Sequence, residues 1–240
     1  MKPIYLFADS SLLFWQVAGF FLGAGRNLSE PAPTKAAYVG ASNGDKPEFY
    51  AIFTAAMQGM GVHNYRLIRS SFSREDAAFI DEADIILLAG GDVERGWNVF
   101  LKNGLPEILI RRYEEGTTLI GVSAGAVQLG LFGLRAGQLS SENLIATLGL
   151  VPFIVGVHEE REEWARLKQA IRVAAPETAG IGIPQGAGMI LHTDGSIEPL
   201  KGPLHEFSTR GEEIVSSLLT RRRGQLAIAA LGKPGQSSNH

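Results

Sequence analysis

Ser123 has the surroundings expected of a nucleophile. It stands within TTLIGVSAGAVQLGL (residues 117–131), where a β-rich apolar run ends and helix-forming residues follow. With Gly121 and Gly125 it completes G-x-S-x-G, the pattern of a nucleophile elbow, in which small flanking residues let the chain turn sharply from strand to helix. The pattern also occurs by chance, so an ordinary βα turn with Ser123 as the helix cap is the alternative interpretation.

Two backbone N–H groups are candidates for an oxyanion hole. A helix that begins directly after Ser123 leaves the Ala124 N–H free at its positive end. Gly90, Gly91 and Asp92 follow a second apolar run, and a glycine pair lets the backbone approach a ligand closely, so Gly91 is the second predicted donor. Asp92 is a candidate for substrate binding, although it would equally serve as the N-cap of the next helix.

A serine nucleophile needs a general base, which is usually a histidine. Among the five histidines, His158 is the best candidate, because it follows the apolar run 151–157 and opens a charged segment of helical character, HEEREEWARLKQAI. His205 lies in a late loop sequence, GPLHEF, and is a weaker candidate. The alternative for His158 is a histidine at a helix start with no catalytic role.

Apolar runs that alternate with helical segments predict a mostly parallel sheet with helices on both faces, an α/β three-layer sandwich. Asp9-Ser10, Gly90–Asp92 and Ser123 each follow a predicted strand and could share the carboxyl edge where such sheets bind ligands. We predict a single domain over residues 1–240, with a polar tail at about 232–240. The predicted strands are Ile4–Ala8, Ala36–Val39, Tyr65–Leu67, Ile85–Leu88, Leu119–Val122, Gly180–Ile183 and Met189–His192. The predicted helical segments are Glu48–Met60, Ser73–Glu82 and Val93–Tyr113, the last holding more than one helix.

The order of these motifs resembles the dipeptidase E / cyanophycinase family of serine exopeptidases. AGGD (89–92), GVSAGA (121–126), a histidine before a charged helix and GIGIP (180–184) carry the resemblance, which runs from about residue 35 to residue 200. It implies a class-I glutamine-amidotransferase-like fold with Ser123 as nucleophile, His158 as base, and Gly91 with Ala124 as oxyanion donors. It also implies cleavage next to acidic residues, in Asp-X dipeptides or in a β-Asp-Arg polymer.

The group that orients His158 is the point at which this sequence departs from the family. Family members often carry an acid after GIGI, where this chain has Pro184 and Gln185. A glutamine can accept the imidazole N–H, but it cannot stabilise imidazolium as a carboxylate does. Glu160, at H-x-E spacing from His158, is the substitute acid that we consider, and Glu159 is a weaker one. The arginine-rich helix of the cyanophycinase branch is matched only by Arg161 and Arg166.

Composition narrows the classes of function. The chain is 45% hydrophobic and 20% charged, with a net charge of −3, so neither nucleic acid nor an anionic membrane surface is an expected partner. Without cysteine, the cysteine chemistry of the amidotransferases on this fold is excluded. Asp9 interrupts the apolar N-terminal stretch, so we expect no membrane span and a cytoplasmic protein. We expect no cofactor or metal and a small peptide as substrate; a homodimer is compatible with the sequence.

The leading hypothesis is therefore a metal-independent serine hydrolase that cleaves a peptide or amide bond of a small substrate. The first rival is a binding protein that kept the elbow and lost turnover, which Gln185 at the family's acid position would allow. The second is an esterase of the α/β-hydrolase type, in which His205 would have to be the base. An imidazole of His158 within hydrogen-bond reach of Ser123 Oγ would favour the hydrolase over the first rival.

Overall fold

The computed structural model describes residues 1–15, 32–135, 143–211 and 213–221; the predicted polar tail lies outside them. The strands are β1 (Ile4–Phe7), β2 (Lys35–Val39), β3 (Asn64–Ile68), β4 (Ile85–Leu88), β5 (Thr118–Val122), β6 (Phe132–Leu134), β7 (Leu144–Ala146), β8 (Ile154–Val157), β9 (Gly180–Ile183), β10 (Gly188–Leu191), β11 (Ile197–Leu200), β12 (Leu204–Arg210) and β13 (Glu213–Leu219). The helices are α1 (Ser11–Trp15), α2 (Pro47–Gly59), α3 (Arg74–Asp81), α4 (Val93–Lys102), α5 (Leu105–Glu114), α6 (Ala124–Leu129) and α7 (Ala165–Val173). No described helix is long and apolar enough to cross a bilayer.

The main sheet has seven strands in the order β11-β10-β1-β5-β4-β2-β3. The five strands from β1 to β3 in this order are parallel, and β10 and β11 extend the sheet in antiparallel fashion. Because Phe7 pairs with Val122 and Leu88 with Gly121, the carboxyl ends of β1, β5 and β4 lie side by side. The segments that follow these three strands therefore share one edge, and the mostly parallel α/β fold is as predicted.

Helices cover both faces of this sheet because its strands are apolar on both sides. Strand residues of even and odd position alternate between two buried clusters, as Ile4 and Tyr5 do in β1. One cluster includes residues of α1 and α2, and the other includes residues of α3, α4, α5 and α6. The predicted layers are thus present, and helix α6 packs beneath the carboxyl end of β5.

A second sheet, absent from the sequence prediction, lies beside the main one. It has four strands in the order β13-β12-β9-β8, with β8 and β9 parallel and the others antiparallel. Glycines let the segment from Trp164 to α7 pack closely on it, since a Cβ on Gly182 would lie 2.6 Å from the Trp164 ring. A Cβ on Gly180 would likewise lie 2.6 Å from Ile171. This sheet carries the segment that contains His158.

Backbone geometry refines one helical prediction and corrects the boundary of another. The segment 93–113 contains two helices, α4 and α5, which separate at Gly104 with φ 63°. The helix predicted to open at His158 begins only at Ala165. This boundary was wrong because Glu163 and Trp164 have φ values of 51° and 62°, which an α-helix cannot include. Residues 160–162 form a single 3₁₀ turn instead.

Candidate active site

The elbow places Ser123 in a strained conformation between β5 and α6. Its backbone has φ 50° and ψ −111°, a region that non-glycine residues rarely occupy and that clusters at functional sites. The Ser123 N–H donates to the carbonyl of Phe7 at 2.8 Å, which ties the turn to the end of β1. The hydroxyl makes no capping hydrogen bond to α6, so the interpretation of Ser123 as a plain helix cap does not describe its side chain.

The glycines of the motif are required by close approach of backbone to backbone. A Cβ on Gly125 would lie 2.1 Å from the carbonyl oxygen of Leu88, and one on Gly121 would lie 2.7 Å from the Cα of Ala126. Real Cβ atoms do not come this near to backbone atoms, and neither contact can relax by a side-chain rotation. Helix α6 therefore sits on the sheet at a distance that only glycine permits at these two positions.

His158 lies at the carboxyl end of β8, with its ring directed at the elbow. Its Nε2 is 3.3 Å from Ser123 Oγ, a distance that fits the loose hydrogen bonds of unliganded catalytic pairs. Its backbone has φ 61°, and its N–H donates to the carbonyl of Ile183 at 3.3 Å, which connects it to β9. The structure thus brings the predicted base and nucleophile together from the two different sheets.

The predicted oxyanion donors line the same small space as the serine. Gly91 has φ 138°, and a Cβ there would lie 2.2 Å from the carbonyl oxygen of Ser42, so only glycine fits. The N–H groups of Gly91 and Ala124 have no acceptor in the part of the chain that the structure describes. Two free donors beside Ser123 Oγ are the arrangement that stabilises an oxyanion in acyl transfer.

Asp92 serves first as a helix cap. Its Oδ1 accepts a hydrogen bond from the Arg95 N–H at 2.7 Å at the start of α4. The residue also lines a cavity next to Ser123, so substrate binding by Asp92 stays a prediction.

Glu160 and Gln185 meet through the backbone of the loop after β9. Glu160 Oε1 accepts from the Gln185 N–H at 3.2 Å, while Glu160 Oε2 is buried without a hydrogen-bond partner in the described chain. The Gln185 side chain is exposed, and within the described residues it makes no hydrogen bond to the imidazole. Among the described residues, the structure therefore places neither the Gln185 amide nor the Glu160 carboxylate in hydrogen-bond contact with the His158 ring.

Asp9 is a second carboxylate at the site, and the sequence analysis assigned it no role. Its Oδ2 accepts from the Gly186 N–H at 2.7 Å and its Oδ1 from the Ser11 N–H at 2.8 Å. Partial burial alone would raise the pKa of Asp9, but these hydrogen bonds and nearby His158 together lower it. The signal was its position directly after β1, at the same sheet edge as Ser123.

Two other candidates of the sequence analysis have structural partners. Burial raises the pKa of Glu159, whose Oε2 accepts from the Leu167 N–H at 3.1 Å. The His205 ring lies 5.1 Å from that of Trp164, and its burial lowers its pKa. His205 makes no hydrogen bond with Ser123 within the described residues, so the esterase arrangement lacks its base. No group of three or more histidine, aspartate or glutamate side chains in the described chain is placed to hold a metal ion.

In the described part of the chain, a small cavity and a large cavity meet at Ser123. The small one has a volume of about 180 Å³, contains the Ala124 side of the oxyanion hole and is lined also by Glu159 and Arg166. The large one has a volume of about 520 Å³ and contains His158. Ser123 and Gly91 line both cavities, so a substrate attacked by Ser123 can extend to either side.

Comparison with known proteins gives a family match and a fold match. A family model described as peptidase family S51 matches residues 27–198. A crystal structure of a peptidase from an acI-B1 Actinobacterium is 16% identical, with 90% of this chain and 97% of that chain covered at a TM-score of 0.66. A putative peptidase E protein from Listeria monocytogenes EGD-e is 18% identical, with 92% and 100% covered at a TM-score of 0.55. No curated protein sequence matches this chain.

Proposed function

This chain belongs to peptidase family S51 and is a serine peptidase, and we propose that it is an exopeptidase or dipeptidase that cleaves small peptides at an aspartyl or β-aspartyl residue. The observation that carries the proposal is the 3.3 Å approach of His158 Nε2 to Ser123 Oγ at a strained elbow with free N–H donors beside it. A helix-capping serine would need none of these three features.

The proposed reaction is acyl transfer through Ser123. The oxygen of Ser123 attacks the peptide carbonyl carbon while its proton moves to His158 Nε2, and the carbonyl oxygen becomes an anion held by Gly91 and Ala124 N–H. When the tetrahedral intermediate collapses, the C–N bond breaks and His158 returns the proton to the leaving amine. Water then attacks the acyl-enzyme by the same route, which releases the acid product and restores the hydroxyl.

We assign the orientation of His158 to carboxylates rather than to the exposed Gln185 amide. Glu160 is our first candidate, because its Oε1 accepts from the loop N–H of Gln185 while its buried Oε2 has no hydrogen-bond partner among the described residues. Asp9, which is electrostatically coupled to His158, is the second. A carboxylate in either position stabilises the imidazolium that forms during attack.

The small cavity supports the preference for a short acidic acyl residue. Its volume of about 180 Å³ suits a short side chain, and the Arg166 guanidinium at its wall can bind a carboxylate in bidentate fashion. Glu159, at the same wall, accepts from the Leu167 N–H through Oε2, which leaves Oε1 for a substrate ammonium group. These two charges match the acid and amine of an N-terminal aspartyl residue.

A ligand-binding protein without turnover is the second candidate, because Gln185 stands where the family often has an acid. One experiment separates the two: a fluorophosphonate probe is reacted with the wild type and with Ser123→Ala, and both proteins are offered Asp-, Asn- and β-aspartyl dipeptides. We expect labelling and turnover by the wild type alone. Absence of both in the folded wild type would overturn the peptidase proposal in favour of a binding role.

A further inference from the structure

We propose that the large cavity is the subsite for the leaving residue and selects a bulky apolar amino acid with a free carboxylate. This inference rests on the proposed function, since it names the leaving half of the same substrate. Three observations support the inference: the position of His158, the apolar wall of the cavity and two cations at that wall.

The position of His158 decides which half of the substrate occupies which cavity. The leaving amine takes its proton from His158 Nε2, so it must lie on the side of Ser123 where the imidazole lies. Only the large cavity includes His158, whereas the small cavity includes Ala124 and the oxyanion side of the elbow. The acyl residue therefore extends into the small cavity and the leaving residue into the large one.

The wall of the large cavity is suited to a large apolar side chain. Leu13, Tyr38, Phe49 and Ile52 contribute to it, and Phe49 is 42% exposed although it is aromatic. Burial raises the pKa of Tyr38 to about 12, so its phenol, which accepts from Asn43 Nδ2 at 2.8 Å, stays uncharged at neutral pH. The volume of about 520 Å³ falls in the range of roughly 300–1,000 Å³ typical of small-molecule sites.

Two cations at this wall have no anionic partner in the described ranges of the chain. Lys46 and Arg95 both line the cavity, and neither ammonium nor guanidinium group forms an ion pair there. The cavity also contains the carboxylates of Asp9 and Asp92, but backbone N–H groups already bind them. Lys46 and Arg95 are thus the groups open to the carboxylate of a ligand, which both a guanidinium and an ammonium group bind.

The charges of the cavity then match those of a free amino acid. The amine released at His158 becomes an ammonium group near Asp9, and the carboxylate on the same amino acid reaches toward Lys46 and Arg95. A peptide whose leaving residue is amidated, or continues into further chain, lacks that carboxylate. The subsite would therefore make the enzyme prefer a free carboxyl terminus directly after the scissile bond.

Binding to a variant that cannot turn over tests the subsite directly. Calorimetry with Ser123→Ala would compare L-phenylalanine, L-phenylalaninamide and glycine as ligands. We expect phenylalanine to bind at least about tenfold more tightly than either of the other two, because a charge-assisted pair and apolar burial are each worth about that factor. Equal binding of the acid and the amide would overturn the proposal.

Substitution of Lys46 and Arg95 tests whether these two residues bind the carboxylate of the ligand. In the Ser123→Ala background, Lys46→Ala and Arg95→Ala should each reduce the preference for phenylalanine over its amide by about fivefold or more. Lys102→Ala, at the opposite end of the helix that carries Arg95, should leave this preference unchanged. An unchanged preference in both cavity variants, with their folding checked by circular dichroism, would contradict the assignment.

Turnover separates failure of the subsite from failure of the proposed function. If the wild type cleaves Asp-Phe and its amide at equal kcat/KM, the peptidase stands and the subsite is wrong. If Ser123→Ala binds phenylalanine with the expected preference while the wild type cleaves no dipeptide, the cavity binds a free amino acid, but the proposed function and the assignment of the cavity to a leaving residue are both wrong.

Discussion

The elbow and the histidine segment each contribute one member of the Ser123–His158 pair but are built in different ways. Around Ser123 the chain is fixed by contacts of backbone with backbone, in which a Cβ on Gly125 would lie 2.1 Å from the Leu88 carbonyl oxygen. Around His158 the packing is of side chains against glycines, such as Trp164 on Gly182. His158 itself is exposed, whereas the residues on both sides of Ser123 are buried.

This difference shows which half of the site can tolerate change. A backbone contact has no rotamer to adjust, so a substitution in the elbow must move a whole helix. The exposed imidazole of His158 contributes a functional group and little packing, so its replacement removes chemistry without removing structure. The predictions below test this contrast, beginning with the largest effect.

Gly125→Ala should damage both stability and activity. The added methyl group meets the backbone of Leu88, so α6 must lift from the sheet and Ser123 leaves its strained position. We expect a loss of about 3 kcal/mol or more in the free energy of unfolding and no detectable labelling by a fluorophosphonate. Thermal denaturation and probe labelling measure the two effects.

Gly59→Ala is the matched control for this substitution. Gly59 ends α2, and a Cβ there meets no atom of the described residues within 4 Å. An alanine at this helical position should be neutral or stabilising by up to about 1 kcal/mol. A similar loss of stability in both variants would show that the elbow is not the more tightly constrained region.

His158→Gln should lower activity without lowering stability. Removal of the general base is expected to reduce kcat/KM and the rate of probe labelling by about 10²–10⁴-fold. The melting temperature should stay within about 2 °C, because the side chain is exposed and a surface change is worth less than about 0.5 kcal/mol. His205→Gln is the comparison variant, and a larger loss of activity there would instead indicate the base of the esterase hypothesis.

The sequence predicts the elbow well because the elbow is local. Ser123 and its flanking glycines are contiguous with the strand and the helix that they join, so their spacing alone describes the turn. The parallel strands were also predictable, since their runs are apolar on both faces and short. The spacing of Ser73 and Asp76 at the start of the predicted helix Ser73–Glu82 is a local capping-box pattern of the same kind, and both of its hydrogen bonds are present at α3.

The surroundings of His158 were harder to predict because they depend on distant segments. The sheet that carries it includes β12 and β13, whose residues alternate only weakly between buried and exposed positions. The glycines of GIGI do more than form a strand, since they accommodate Trp164 and Ile171. Asp9, 149 positions before His158 in the sequence, reaches the site only through the pairing of β1 with β5 and β10.

Asp9→Asn should lower the rate of the chemical step. The Asp9 carboxylate lies near enough to His158 for the two to interact electrostatically, so its removal leaves the imidazolium less stabilised in the transition state. We expect a decrease of about tenfold in kcat at pH 7, measured by steady-state kinetics on an aspartyl dipeptide. The matched control is Asp92→Asn, a substitution in the same cavity that keeps a capping residue, and its kcat should not fall.

Glu160→Gln sharpens the contrast between the two carboxylates. If Glu160 alone orients the imidazole, Glu160→Gln loses at least as much kcat as Asp9→Asn. If only the Asp9 variant loses kcat, Asp9 is the functional partner and Glu160 serves the loop at Gln185. An unchanged kcat in both variants would contradict a carboxylate partner for His158.

The smallest expected effect concerns the stability of the histidine segment. Burial raises the pKa of Glu159 in the folded protein, so the folded protein holds a proton on this carboxyl group more tightly than the unfolded chain does. The contribution of this residue to stability is then favourable below its unfolded pKa and is lost as the pH rises through its folded pKa. Glu159→Gln keeps an acceptor for the Leu167 N–H and removes the charge, so it should raise the melting temperature at pH 7 by up to about 3 °C. The gain should vanish near pH 4, and the exposed control Glu114→Gln should show no such dependence; a gain that persists at pH 4 would mean that burial of this charge does not limit the stability of the segment.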